Sequence, residues 1–222
     1  METKRFRKHV GGVAALFVQP FGHRLVRRKR WGMKMEVEPR RIDVITFMAG
    51  FNDSTASRLI DLCYTCQEEG SSEIHIFMSS VGGRIQAALS AFNFLQLLTT
   101  PIYTCNIGTV DSTSLIVFLA SDRRLALAYS KFVLSTFEWT FYRNTAYFPE
   151  IIEAYESLER DRRSLVEVFD RKTRQTVDLD ACLTGAARVL DPVAAAEAGI
   201  VTGGVLARPP IPELAKMWTV HD

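Results

Sequence analysis

A chain of 222 residues is long enough for one sizeable domain or two small ones, and its 47% apolar and 23% charged residues are typical of a globular protein. The formal charge of +2 excludes a uniformly basic protein that coats nucleic acid. The charge is uneven, because residues 1–41 carry 12 basic and 3 acidic side chains whereas residues 42–222 carry 15 and 22. We therefore expect a basic, poorly ordered N-terminal extension over 1–41 ahead of a mildly acidic domain.

No stretch of the sequence predicts a membrane-spanning helix. The longest apolar stretch near the start, 11–21, contains Gln19 and Pro20 and is far shorter than the ~20 residues that a bilayer requires. Basic residues follow it at the place where a signal peptide has a small-residue cleavage site. An alternative for residues 1–41 is a polybasic tail that binds RNA or anionic lipid. We favour a cytoplasmic protein that binds no specific nucleic acid and does not span a membrane.

Cysteine usage indicates reduced thiols rather than a disulfide framework. Cys63 and Cys66 fit a C-x-x-C pattern, but neither Cys105 nor Cys182 provides a nearby second pair or histidine for a metal site. Because Cys63 and Cys66 share a helical apolar face, we predict that they pack in the core, and we expect no metal and no cofactor.

Apolar runs bounded by glycine, proline and capping residues predict alternating strands and helices. The predicted strands are 42–48, 73–78, 101–107, 125–134 and 200–201. The predicted helices are 53–69, 84–98, 112–120, 149–172 and 192–197. This βαβ rhythm is typical of a parallel sheet with helices on its faces. We expect one α/β domain over 42–206, followed by a proline-containing C-terminal tail over 207–222.

Two junctions between a strand and a helix have the composition of a catalytic turn. At the first, Gly82 and Gly83 permit positive φ and a close approach of a ligand to the backbone, although a tight structural turn explains them equally well. At the second, Gly108 leads to Ser112 at the start of an apolar helix, where backbone N–H groups favour an anion. Taken alone, Asp111 or Ser112 is better explained as a helix N-cap.

The two turns together resemble those of the ClpP-type serine peptidases, whose fold is shared with the crotonase superfamily. In that family a strand ends in Gly-Gly and the next strand ends in Gly-x-x-x-Ser. Two further segments are similar to family motifs, an Arg-Tyr-Ala-x-x-x-Ser strand pair and a closing Ala-x-x-x-Gly-Leu-Ile. The matching segments here are Ser80-Val81-Gly82-Gly83, residues 108–112, residues 124–134 and residues 195–201.

This resemblance covers residues 42–205 and implies an α/β fold of repeated β-β-α units with a protruding handle helix. It implies that Ser112 is the nucleophile position and that Gly83 and Thr113 form the oxyanion hole. It also implies a homo- or hetero-oligomeric ring with ClpP-like subunits, an AAA+ unfoldase partner and, if the chain is active, a peptide substrate. The helix after Pro149 matches the handle that interlocks two stacked rings.

The sequence departs from the family at the two other triad positions. Ser135 stands where the family has histidine, and Ala187 stands where it has aspartate. We expect the side chain of Asp111, which precedes the nucleophile, to point away from Ser112. No histidine of the chain is well placed to serve as the base, and Lys131 and Lys172 are expected to lie out of reach. The four histidines are His9, His23, His75 and His221, and the aspartates near Ala187 are Asp178, Asp180 and Asp191.

A serine hydroxyl without an adjacent base is a weak nucleophile, and loss of triad members typically costs about 10⁴- to 10⁶-fold in turnover. The sequence therefore favours a ClpP-like subunit with little or no peptidase activity of its own. One alternative is an active serine endopeptidase in which Glu138, Asp111 or a residue of a neighbouring subunit serves as the base. Another is a crotonase-like protein that binds acyl-CoA.

Overall fold

The computed structural model describes residues 40–111, 113–136, 146–211 and 215–221. Strands and helices alternate along these ranges. The elements are β1 (Ile42–Met48), α1 (Asp53–Glu68), β2 (Glu73–Ser80), α2 (Ile85–Leu95), β3 (Ile102–Asp111), α3 (Ser114–Phe118), β4 (Arg123–Leu127), β5 (Lys131–Leu134), α4 (Phe148–Lys172), α5 (Leu179–Thr184), β6 (Arg188–Leu190), α6 (Pro192–Glu197), β7 (Gly204–Leu206) and β8 (Lys216–His221).

The strands form one sheet with the order β6-β5-β3-β2-β1-β8. The long strand β3 pairs with β4 through residues 103–106 and with β5 through residues 109–111, and β7 adds to the outer side of β4. All pairs are parallel except β5 with β6. This arrangement confirms the predicted α/β class and carries the ends of β2, β3 and β5 to one edge.

The first helix begins at a capping box formed by Asn52 and Thr55. The Asn52 side chain accepts a hydrogen bond from the Thr55 N–H at 3.0 Å, and the Thr55 hydroxyl accepts one from the Asn52 N–H at 3.0 Å. The helix buries Leu59, Cys63 and Cys66 completely. Both cysteines therefore lie in the core, as predicted, and burial raises the pKa of Cys66 to about 11.

The two faces of the sheet differ in what covers them. On one face, Ile45 and Phe47 belong to the large buried cluster that includes the apolar sides of the helices. On the other face, Val44, Phe77 and Cys105 form a small separate cluster with side chains of neighbouring strands. Since in-register residues of parallel strands share a face, the alternation along β1 places its even-numbered and odd-numbered residues on opposite sides.

A buried arginine ties the far end of α4 to the sheet. Arg124 lies on β4 and is 3% exposed. Its guanidinium donates four hydrogen bonds of 2.7–2.9 Å to the carbonyl oxygens of Ser121, Lys172, Gly199 and Ile200. Burial lowers its pKa from the ordinary arginine value. Arg124, which matches the family motif, therefore has a structural role, since its guanidinium joins four backbone segments.

The helix α4 has 25 residues and is about 37 Å long at 1.5 Å per residue. Its buried residues, Asp161, Leu165 and Phe169, all lie in its second half. The first half exposes a row of apolar side chains with helical spacing. These are Phe148, Ile151, Ile152 and Tyr155, which are 74%, 45%, 41% and 62% exposed.

Two of the predicted elements, the third strand and the helix after it, have different bounds in the structure. The strand predicted to end at Ile107 continues to Asp111, because the β2–β3 register shifts around Gly108 and the last residues of β3 pair with β5. The strand structure predicted over 125–134 consists of two strands, β4 and β5, separated by a turn, in agreement with the strand pair that the resemblance implies. The helix predicted from 112 is assigned from Ser114.

The predicted C-terminal strand and tail are also wrong. Ile200 and Val201 follow α6 in a turn in which both N–H groups bond the Ala195 carbonyl, so they do not pair in the sheet. Residues 216–221, predicted to belong to a tail, form β8 and pair with β1 in parallel. The sequence did not reveal this pairing because its partner strand is more than 160 residues earlier in the chain.

The predicted N-terminal extension lies outside the described residues, apart from Arg40 and Arg41. Among the described helices, none combines the length and apolar character that crossing a bilayer requires.

Candidate active site

The candidate site lies where β2, β3 and β5 end. The nucleophile position, Ser112, lies outside the described residues, but both of its chain neighbours are described. Asp111 ends β3 and pairs in register with Val133 of β5. Thr113 follows at the start of the turn into α3 and is fully buried. These two neighbours place residues 111 and 113 at the edge where β3 ends.

The Gly-Gly turn has a backbone that requires glycine. Gly82 and Gly83 have φ of +90° and +141°, which side-chain-bearing residues rarely adopt. The turn is pinned to Phe51, whose N–H donates to the Gly82 carbonyl and whose carbonyl accepts from the Arg84 N–H, both at 2.7 Å. A Cβ atom added to Gly83 would stand 2.3 Å from the Phe51 carbonyl oxygen. The glycines therefore serve this close backbone approach.

The structure brings the two predicted oxyanion-hole residues together. The Thr113 hydroxyl donates a hydrogen bond of 3.2 Å to the Gly83 carbonyl. Ser114 adds a second link, since its Oγ accepts from the Asp111 N–H at 2.9 Å and lies 2.6 Å from the Asp111 carbonyl oxygen. The same Oγ lies 3.2 Å from the Ser80 carbonyl, so Ser114 joins the ends of β2 and β3.

Ser135, which the sequence resemblance aligns with the family's histidine, forms a hydrogen bond with Asp111. The half-buried Ser135 follows β5 directly, and its hydroxyl donates to the Asp111 carboxylate at 2.8 Å. Asp111 thus directs its carboxylate to the predicted base position, a contact that the sequence analysis did not foresee. The pairing runs across 24 residues of chain, so no local sequence signal indicates it.

Ala187 lies opposite Ser135 when the strand register is extended by one residue. β5 and β6 are antiparallel, with Leu134 paired to Arg188. The next pair along that register is Ser135 with Ala187. The two residues that the resemblance aligns with the family's histidine and aspartate therefore belong to neighbouring strand ends, and they carry a hydroxyl and a methyl group.

The two described histidines lie away from Asp111 and Ser135, His75 along the strands and His221 across them. His75 is in register with Tyr103 of β3, eight residues or about 26 Å before Asp111. His221 is in β8, four strand spacings or about 19 Å from β5. His9 and His23, like the alternative base Glu138, lie outside the described residues.

The lysines and aspartates considered from the sequence are engaged elsewhere or displaced. The Lys172 ammonium pairs with Asp122 at 3.1 Å, and Lys131 pairs in register with Thr109, before the site. Three aspartates near Ala187 have structural partners: Asp178 caps α5, Asp180 forms an ion pair with Arg162, and Asp191 caps α6. Each of the three therefore has a partner other than Ser135.

A family model, curated relatives and a solved structure all relate this chain to Clp proteases. A family model described as Clp protease matches residues 37–206. Proteins described as "ATP-dependent Clp protease proteolytic subunit" from Zea mays and Sorghum bicolor are each 27% identical over 114 residues, which are 50% of this chain and 52% of the relative. The chain thus spans about half the length of the curated relatives that it matches. A solved structure of a ClpP1 mutant from Listeria monocytogenes is similar in fold, with a TM-score of 0.62 and 18% identity over 76% of this chain and 92% of the other.

Proposed function

This chain belongs to the Clp protease family, and we propose that it is a noncatalytic or catalytically impaired homologue of the proteolytic subunit. In this proposal it contributes structure and peptide contacts to a mixed assembly rather than cleaving peptides by itself. Its proposed partners are ClpP-like subunits in an oligomeric ring and an AAA+ unfoldase, and its proposed compartment is the cytoplasm.

The observation that carries the proposal is the hydrogen bond between Ser135 and Asp111. A general base must accept the nucleophile's proton and therefore needs a basic lone pair within about 2.6–3.2 Å. At the family's histidine position this chain has a hydroxyl that donates its proton to a carboxylate instead. Ala187 provides no carboxylate to orient or stabilise an imidazolium. The residues at both positions therefore support a turnover about 10⁴- to 10⁶-fold lower than that of a complete triad.

The retained oxyanion frame supports a role in binding peptide. Gly83 and Thr113 are adjacent and rigidly held, by the Phe51 bridge on one side and the Thr113 hydroxyl on the other. Backbone N–H groups at such a turn are suited to a peptide carbonyl even when no covalent chemistry follows. The subunit would then line a proteolytic chamber without adding a reaction centre.

The exposed apolar row of α4 supports assembly with further subunits. Phe148, Ile151 and Tyr155 stand on one side of a helix whose first half contributes no buried residue to the described domain. Exposed apolar patches of this kind are typical of interfaces between proteins. The position matches the handle that the family resemblance assigns to contacts between rings.

A second candidate is an active serine endopeptidase whose base is Asp111. The supporting observation is that its carboxylate reaches the base position, where it accepts the Ser135 hydroxyl at 2.8 Å. This candidate predicts that Asp111→Asn abolishes a measured activity, whereas the noncatalytic subunit has no activity of its own for Asp111→Asn to remove.

Serine labelling with a fluorophosphonate, together with cleavage of a fluorogenic peptide, tests both candidates. We expect the purified chain to show neither reaction at an enzymatic rate, and Ser112→Ala to be indistinguishable from it. Ser135→His combined with Ala187→Asp restores the missing groups, and we expect it to raise Ser112 labelling above both. Labelling of the unmodified chain at an ordinary enzymatic rate, lost in Ser112→Ala, would overturn the noncatalytic proposal.

A further inference from the structure

Asp111 places a carboxylate in the candidate site on the side of the sheet away from the large buried cluster. Its register partner is Val133 of β5, and the residue after Val133, Leu134, belongs to that cluster. Because side chains alternate along a strand, Val133 and Ser135 lie on the opposite side. The hydrogen bond of 2.8 Å from the Ser135 hydroxyl to Asp111 shows that these two side chains share that side.

Apolar side chains continue from Asp111 across the two neighbouring strands. Val133 pairs in register with Val189 of β6, so Asp111, Val133 and Val189 form one row across three strands. At 4.7–4.9 Å between strands, this Asp111 row is about 10 Å long. Val189 is 62% exposed and Val133 is half-buried. The Asp111 row therefore presents open apolar surface that ends at a carboxylate.

The Asp111 carboxylate keeps the capacity to accept a cationic donor. A carboxylate accepts hydrogen bonds at about four lone-pair positions, and the Ser135 hydroxyl uses one of them. Within residues 40–111, 113–136, 146–211 and 215–221, no lysine or arginine forms an ion pair with Asp111. The lysine of β5, Lys131, pairs in register with Thr109, two residues before the Asp111 row. A half-buried negative charge in this setting favours a ligand that supplies the positive charge.

The carboxylate lies within reach of a peptide bound at the oxyanion frame. Asp111 precedes Thr113 by two residues, so their Cα atoms are at most about 7 Å apart. The Thr113 hydroxyl in turn bonds the Gly83 carbonyl. A peptide whose carbonyl is held at this frame would place a neighbouring side chain over the Asp111 row. Long side chains with an aliphatic stem cover apolar surface while their charged end meets a partner.

We propose that the candidate site selects peptides with a lysine or arginine side chain, whose aliphatic stem lies on Val133 and Val189 and whose cationic end pairs with Asp111. This inference rests on the proposed role in peptide binding and names the class of peptide that the subunit binds. An apolar side chain of similar length gains the contact with the valines but not the ion pair. A glutamate side chain at the same place is repelled by the like charge.

Three peptides that differ in one side chain test this selectivity with the full-length chain. The first is an acetylated and amidated pentapeptide with lysine between two pairs of alanines, and the others have norleucine or glutamate in place of the lysine. Each carries the same uncharged fluorophore, and binding is measured by fluorescence anisotropy at low ionic strength, where charge pairs are least screened. We expect the lysine peptide to bind about tenfold more tightly than the norleucine peptide, and the glutamate peptide to bind most weakly.

A charge-neutral variant identifies the group that recognises the lysine. Asp111→Asn removes the negative charge but keeps an oxygen that can accept the Ser135 hydroxyl, so we expect it to bind the lysine and norleucine peptides equally. Asp61→Asn makes the same change of net charge at an exposed position of α1 and should keep the tenfold preference. If Asp111→Asn also kept the preference, the proposal would be overturned. The comparison of the three peptides on the unmodified chain does not depend on the folding of any variant.

The outcomes separate this inference from the proposed function. If none of the three peptides binds, the proposed role in peptide binding fails, and this inference fails with it. If all three bind with equal affinity, peptide binding stands and the selectivity for a cationic side chain is overturned. A norleucine peptide with a free amino terminus is the last comparison. If it binds as tightly as the acetylated lysine peptide, the carboxylate recognises a terminal ammonium, which overturns the assignment to a side chain.

Discussion

At the scale of single residues, the candidate site is a set of short contacts between strand ends that lie far apart in the chain. Ser135 meets Asp111, Thr113 meets Gly83, and Ser114 joins two strands. From the sequence alone, each of these side chains would be predicted to be an ordinary helix cap or turn residue. Their shared effect is to fix the backbone on both sides of Ser112.

Removal of the Ser135 hydroxyl tests whether it stabilises the strand ends. Ser135→Ala leaves the Asp111 carboxylate without this donor, so we expect the free energy of unfolding to fall by about 1 kcal/mol, since hydrogen bonds to charged groups in half-buried sites contribute at that level. Urea titration followed by circular dichroism measures the change. The neighbouring exposed Thr136→Ala is the control and should change stability by less than about 0.5 kcal/mol. Equal effects of the two variants would contradict the role of the hydrogen bond.

Alanine substitutions at two glycines with positive φ distinguish the cost of backbone strain from the cost of a steric clash. Gly70 has φ of +80° with open space around its Cα, whereas a Cβ at Gly83 would collide with the Phe51 backbone. We expect Gly70→Ala to cost about 1–2 kcal/mol, the usual penalty of the left-handed region. Gly83→Ala should cost about 3 kcal/mol or more, or prevent folding, because backbone atoms must move as well. Comparable unfolding midpoints for the two variants in urea would show that the Phe51–Gly83 approach is not as close as described.

At the scale of elements, β8 is held by charge as well as by its backbone pairing. The Asp43 carboxylate joins Trp218 of β8 to Arg41 and Ser71, which lie just before β1 and just before β2. The hydrogen bonds lower the pKa of Asp43, so its ionised form is favoured in the folded state. This electrostatic link makes the attachment of β8 sensitive to pH.

The pH dependence has a definite sign. A carboxyl whose pKa is lowered on folding adds stability above its unfolded pKa of about 3.9, and this stability is lost as the pH falls through the lower folded value. We expect Asp43→Asn to be less stable than the unmodified chain by about 2–3 kcal/mol at pH 7, because charge-assisted bonds are lost from a buried site. The difference should narrow as the pH falls below about 4. Urea unfolding between pH 3 and pH 7 measures it, and a difference that widens toward low pH would contradict this assignment.

At the scale of the whole molecule, two features of the described domain differ in whether they are open to other subunits. The first surface is the row of exposed apolar side chains on the first half of α4. The second is the edge of β1, which β8 of the same chain covers. The apolar row of α4 is therefore the surface that remains available for contacts with further subunits.

Replacement of apolar α4 residues tests the first surface. Ile151→Gln combined with Tyr155→Gln removes apolar area that an interface would bury at about 1.5–3 kcal/mol per large side chain. We expect the oligomer measured by light scattering after size exclusion to dissociate while the helical circular dichroism stays unchanged. Glu153→Gln with Glu156→Gln introduces the same amides at exposed polar positions of the helix and should leave the oligomer intact. Dissociation in both double variants would attribute the effect to something other than the apolar row.

The sequence by itself determined the α/β class, the order of most elements up to α6 and the family, because apolar periodicity, glycine turns and spaced motifs are local properties of a chain. It also indicated that the histidine and aspartate positions hold Ser135 and Ala187. The tertiary structure alone decided that Asp111 turns toward Ser135, that Gly83 is pinned by Phe51 and that residues 216–221 form a strand on β1. These are pairings between distant segments, and their energy depends on which strand ends and edges the complete sheet brings together.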